Sequence, residues 1–194
     1  MHSDWQAPNG RARTPRKGLL RGFVKGRDGA TVVEFALLAF PFTLLVFAIL
    51  ESCISFAAEV YLQNVTDDLA RQLRTGEIKK GEITKEEFRE KICDRLQAAF
   101  VSAGCPDLEF DLRNFDTFAE AAALKTYVTA AREIFIDDGA FKFEPGPSQS
   151  KNILRVYYRW PVITDIMRGW MSTLNDGKAL HFATATWQNE PFPD

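Results

Sequence analysis

Histidine is almost missing from this 194-residue chain: only His2 and His181 occur, at opposite ends. They cannot be read as a metal pair, and His181, at the start of an expected strand, reads as a half-exposed surface residue. Three cysteines, Cys53, Cys93 and Cys105, are too few and too widely spaced for a zinc site. No Gly-rich phosphate loop and no nucleophile elbow is present. Glu86–Glu87 and Asp137–Asp138 are ordinary solvated or turn acids. The expectation is therefore a non-enzyme, with no catalytic residue, no metal and no cofactor. A basic surface interleaved with aromatics is also lacking, which argues against a nucleic-acid partner.

What is present is unevenly placed. Residues 1–29 carry seven basic groups (Arg11, Arg13, Arg16, Lys17, Arg21, Lys25, Arg27) against Asp4 and Asp28, a charge of +5. The remaining 165 residues hold 17 Lys/Arg and 24 Asp/Glu, a charge of −7. Between head and body stands the chain's single long apolar run, Ala30–Leu50, "ATVVEFALLAFPFTLLVFAIL", 21 residues with Glu34 its only ionisable group. About 20 residues suffice for a spanning helix, so the span works only if Glu34 is included. The positive-inside rule puts residues 1–29 in the cytoplasm and residue 51 onward outside. Pro41 is tolerated in such a helix and is expected to kink it.

The helical pattern continues past the run. Ile54, Ala58, Tyr61, Val65, Leu69 and Leu73 recur every three or four residues, Arg71 and Arg74 suit a last turn, and Gly76 a stop. One helix is expected from about Ala30 to Thr75, on the order of 70 Å long. Two helices broken near Glu51 are the alternative, with no Gly or Pro to support them.

The body reads as α+β. Thr84 and Glu87 form a capping box and Ile83 and Phe88 a hydrophobic staple at the start of a helix whose stripe is Phe88, Ile92, Leu96 and Phe100, ending at Gly104. "DLEFDLRNF" alternates Leu108, Phe110, Leu112 with Glu109, Asp111, Arg113, a half-buried strand. "FDTFAEAAALKTYV" reads as helical and "DDGAFKFEPGPSQSKN" as a loop, with a short extended piece at Phe141–Phe143. "ILRVYYRW" is a second strand, stopped by Pro161. "VITDIMRGWMSTLNDG" is expected to be a helix with Ile163, Ile166, Met167 and Trp170 inward and Gly177 its stop. "ALHFATATWQN" is a third strand. A long helix followed by a small antiparallel sheet with packed helices is the simplest assembly. The implied divisions are a basic cytoplasmic leader, 1–29; a transmembrane and extended helix, 30–75; and an extracytoplasmic α+β domain, 76–194.

Cys93 and Cys105 lie twelve apart, one on a helix and one just past its end. Outside the inner membrane a disulfide between them is permitted and would tie the helix to the first strand. Two small buried thiols are the other reading. Cys53 is a packing residue or a contact between subunits. It also completes "LESC", which resembles a lipoprotein attachment site, although the acidic residue before Ser52 suits that poorly. "NVT" at Asn64–Thr66 matches a glycosylation acceptor by pattern but falls on a helical face.

The junction "GRDGATVVEF" then gains a meaning. With Gly29 ending a leader, Ala30 begins the mature chain, Glu34 is its fifth residue and Phe35 its sixth. This resembles the processing site of type IV pilins and pseudopilins, cut after Gly by a prepilin peptidase on the cytoplasmic side. "GATVVEFALLAFPFTLLVFAILE" looks like the start of the TadE-like proteins of the Tad (Flp) pilus system. "KICDRL" through "AGCPDLEFDLRNFDTF", "YYRWPVI" and "FATATWQNEPF", the last with Asn189, Glu190, Pro191 and Phe192, are similar to later family segments. The resemblance implies a minor pilin or pseudopilin helping to assemble a Tad pilus. Its partners would be the bacterial inner membrane, other Tad pilus subunits and the prepilin peptidase, with no small-molecule substrate. The Glu of the "EF" pair favours TadE over the related TadG-like proteins. The alternative is an uncleaved, single-pass periplasmic binding or scaffold protein.

Overall fold

The structure is a computed structural model that describes residues 27–98, 105–136 and 140–193. The residues form two compact units, one ending at Phe47 and the other starting at Ala48. A single helix, α1, covers Arg27–Arg74 and includes Pro41. Pro41 has no N–H to donate to the carbonyl one turn earlier, while the Thr43 hydroxyl donates to the Ala39 carbonyl (2.8 Å) and so is satisfied within the helix.

In the second unit the order after α1 is α2 (Lys85–Gln97), β1 (Leu108–Phe115), α3 (Phe118–Ala123), β2 (Thr126–Val128), β3 (Ile134–Ile136), β4 (Lys151–Trp160), α4 (Asp165–Met171) and β5 (Ala179–Gln188). The fold is α+β, with an antiparallel sheet ordered β1–β4–β5 and a separate β2–β3 hairpin. The hairpin takes the "TYV" that reads as helical in the sequence, and α3 keeps only six residues. The extended piece at Phe141–Phe143 lies along β1: the Leu112 N–H donates to the Lys142 carbonyl (2.9 Å) and the Glu144 N–H to the Leu112 carbonyl (2.8 Å).

One sheet face carries Leu108, Phe110, Leu112, Leu154, Val156, Tyr158 and Ala183. It joins Ala58, Leu62, Val65, Leu69 and Leu73 of α1 and Phe88, Ile92 and Leu96 of α2 in one core. The stripe on α1 therefore begins at Ala58, and Ile54, expected on it, is exposed. Thr84 and Glu87 make the reciprocal capping box, which satisfies two orphan N–H groups at the start of α2. Phe100 and Gly104 lie outside the described residues. Cys93 and Cys105 are joined by a disulfide. It closes a loop of about a dozen residues, a constraint worth about 3 kcal/mol or less.

The other sheet face is not half-solvated as alternation suggests. Asp111 is fully buried and Arg113 nearly so. The Arg113 Nε donates to both Asp111 carboxylate oxygens (2.9 Å each), and the Lys142 N–H donates to Asp111 Oδ1 (2.8 Å). Arg155 donates to Thr126 Oγ1 (2.7 Å) and the Leu124 carbonyl (2.9 Å), and the Tyr157 ring lies 5.5 Å from that of Phe141. Leu124, Thr126 and residues 140–142 form a second cover, so charged side chains on this face pair with each other and with backbone.

The last residues clasp the end of α1. The Glu190 N–H donates to the Arg74 carbonyl (2.9 Å), and the Glu190 carboxylate pairs with Arg74 (3.3 Å). Phe192 packs on Gly76, whose φ of +74° and lack of Cβ are both used: a Cβ there would come within 2.7 Å of the ring. Gln63 of α1 protects the β5 edge, since its side-chain amide donates to the Thr184 carbonyl (3.2 Å) and accepts from the Thr184 N–H (3.3 Å).

Candidate processing and assembly segment

Gly29 and Ala30 lie in the first turns of α1. Glu34 and Phe35 follow about one turn later, and both are exposed, Phe35 at 71%. Among the described residues Glu34 has no ion-pair partner. From Thr31 to Leu50 no side chain is buried within the chain, and α1 is long and apolar enough to cross a membrane. The sequence motif thus stands on a bare apolar helix, as a lipid-facing or bundle-facing segment requires.

Glu51, the first ionisable residue after the run, is treated differently. It is 5% exposed. Its carboxylate accepts the backbone N–H groups of Ile163 (2.6 Å) and Thr164 (3.2 Å) and the Thr164 hydroxyl (2.5 Å). Nothing in the local sequence signals this role, because the partners lie 112 and 113 residues away.

His181 also departs from expectation. It is buried on β5, its Nε2 lies 2.9 Å from Ser55 Oγ, and its ring stacks on Trp160 at 5.2 Å. Burial pushes its pKa from 6.5 down to about 4. Between those values the unfolded chain takes up a proton that the folded one refuses. The contribution of His181 to stability is full above pH 6.5 and is lost as the pH drops towards 4. Urea unfolding in detergent micelles, followed by tryptophan fluorescence, is expected to show that loss. His181→Gln is expected to flatten the dependence between pH 6.5 and 4, and an unchanged slope rejects this origin.

Two other patterns are settled by burial. Asn64 of "NVT" is exposed, but it lies within α1, and Thr66 is fully buried with its hydroxyl donating to the Leu62 carbonyl (2.8 Å). Cys53 is free and exposed, so it does not pack within the chain. Asp137 and Asp138 lie outside the described residues, as does His2.

One helix apolar enough to cross a membrane, leading into a disulfide-tied α+β domain, defines a class of candidate single-pass anchored proteins. Residues 29–71 match the family model described as TadE-like protein. The chain therefore carries a TadE-like segment that starts at Gly29 and runs through the apolar run into the core half of α1, in agreement with the resemblance read from the residues, a family associated with the Tad pilus. No curated protein and no solved structure shows a significant match.

Proposed function

We propose that this chain is a TadE-like minor pilin or pseudopilin that takes part in assembling a Tad (Flp) type IV-like pilus. Ala30–Leu50 anchors it in the bacterial inner membrane, with residues 1–29 cytoplasmic and the α+β domain periplasmic. A prepilin peptidase matures it between Gly29 and Ala30, and other Tad pilus subunits are its partners. It performs no catalysis of its own. The observation that carries this reading is the family match beginning at Gly29, on a helix where Glu34 and Phe35 stand exposed.

Cleavage creates an α-ammonium on Ala30. When spans leave lipid and pack together, a lone Glu34 carboxylate in an apolar bundle is heavily penalised. Paired with the α-ammonium of a neighbouring subunit it is satisfied, and the pair sets axial register. The test is intact-mass measurement of protein from membranes of cells holding the matching peptidase. A chain starting at Ala30 is expected, and Gly29→Phe is expected to accumulate as precursor. A wild-type chain that still begins at Met1 overturns maturation and leaves the uncleaved scaffold.

A further inference from the structure

The sequence pattern predicts Ile163, Ile166 and Trp170 inward, and the structure turns them out: they are 68%, 58% and 86% exposed. Val162 and Leu174 are buried at the two flanks of this segment, and Met167 and Met171 pack against the core. That leaves the other side of α4 apolar and uncovered. Single exposed apolar residues are ordinary, but three on one short helix and its lead-in form a patch that needs an occupant.

The position of the patch names that occupant. Glu51 binds the backbone at Ile163 and Thr164, and Ser52 Oγ lies 4.0 Å from Met171 Sδ. The start of α4 is thus held by Glu51 and its end lies beside Ser52, the residues immediately after Leu50, where the apolar run stops. We infer that α4 is a membrane-docking element whose Ile163, Ile166 and Trp170 enter the headgroup–acyl boundary of a lipid bilayer. This rests on the reading of Ala30–Leu50 as a membrane span.

The chemistry fits that depth. An indole places an apolar ring and an N–H at a boundary that is greasy on one side and wet on the other. An apolar face of this kind sinks roughly 5–10 Å into the interface. Arg168 and Asp165 pair at 2.9 Å, so the helix offers little net charge and has no need of anionic lipid. A second copy of the chain suits the patch less well, since three side chains fall far short of the roughly 1,000 Å² that a stable interface buries.

The test uses the full chain with Cys53→Ser and one new labelling site, Ile166→Cys, Trp170→Cys, Leu38→Cys or Glu86→Cys. Each carries an environment-sensitive fluorophore, attached without reductant so that the native disulfide survives. The proteins are reconstituted in phosphatidylcholine vesicles, with and without phosphatidylglycerol. Spin-labelled lipids quench from shallow or deep acyl positions, and iodide quenches from water. Labels at 166 and 170 are expected to be quenched by shallow spin labels several-fold more than the label at 86, with or without phosphatidylglycerol. The label at 38 is expected to respond to deep ones. Iodide quenching alone at 166 and 170, with lipid quenching retained at 38, overturns the docking and leaves the span standing. Protection of 166 and 170 from both quenchers overturns it in favour of a protein contact. Dependence on phosphatidylglycerol overturns the apolar mode. No lipid quenching at 38 overturns the span and the docking with it.

Discussion

Glu34→Gln is expected to mature normally and to abolish nearly all pili. The amide keeps the size of the carboxylate and can still form hydrogen bonds, but it cannot pair as an anion with the α-ammonium of Ala30 on a neighbouring subunit. In the single chain this matters little, because Glu34 is exposed on α1 and the amine can reach the cytoplasmic interface. In a packed bundle the amine is left as a buried charge without its counter-ion, at a cost of about 3–5 kcal/mol. On the proposed assembly role, that cost at this subunit's own contacts favours its membrane-held state over the assembled one. An immunoblot for the processed form and a count of pili in the same strain check both halves. Wild-type pilus numbers from a matured Glu34→Gln protein would show that Glu34 is only an interfacial residue.

Asp111→Ala is expected to produce the largest loss of stability in the α+β domain, about 3–5 kcal/mol. Asp111 is fully buried, balances the charge of Arg113 and accepts the Lys142 N–H. Truncation removes the balancing charge and strips an acceptor from a backbone donor in one step. Replacing both partners, Asp111→Leu with Arg113→Met, is expected to recover part of the loss, because an apolar pair needs no counter-charge. Only part returns, since the Lys142 N–H still loses its acceptor. Urea midpoints for the three proteins in one detergent give the comparison. A single variant within about 1 kcal/mol of wild type, the range of an exposed pair, would mean that solvent screens this pair despite its burial.

These contrasts show which features were legible in the sequence. The long helix was legible because its signals are local and continuous: an unbroken apolar run, a three-to-four-residue stripe and a glycine at the stop. The TadE-like segment that starts at Gly29 was legible for the same reason. The inner face of β5 was not. Along that strand Leu180 and Phe182 are larger and more apolar than Ala179, His181 and Ala183, yet the small set faces inward. Size was the wrong guide, since Tyr158 and Trp160 of β4 fill that space opposite His181 and Ala179. The helix at Asp165–Met171 misled in the same way: apolar periodicity marks a face that avoids water without saying whether protein or something else covers it. Asp111 and Arg113 followed the two-residue alternation faithfully. Their burial comes from Ala140 and Lys142, whose return over the sheet no local pattern announces.

The clasp between Glu190, Phe192 and the end of α1 has a consequence for the order of events during synthesis. The N–H that caps the Arg74 carbonyl belongs to a residue 116 positions later, and β5 carries one edge of the sheet. Until residues 179–192 have emerged, the sheet lacks that edge strand and α1 lacks its terminal cap. Contacts so distant along the chain form slowly, because a long loop must close before they contribute. The domain is therefore built to complete itself late, and a nascent chain that has not yet delivered this segment exposes the side of β4 that β5 later covers, a surface open to chaperones and to pairing with the wrong strand.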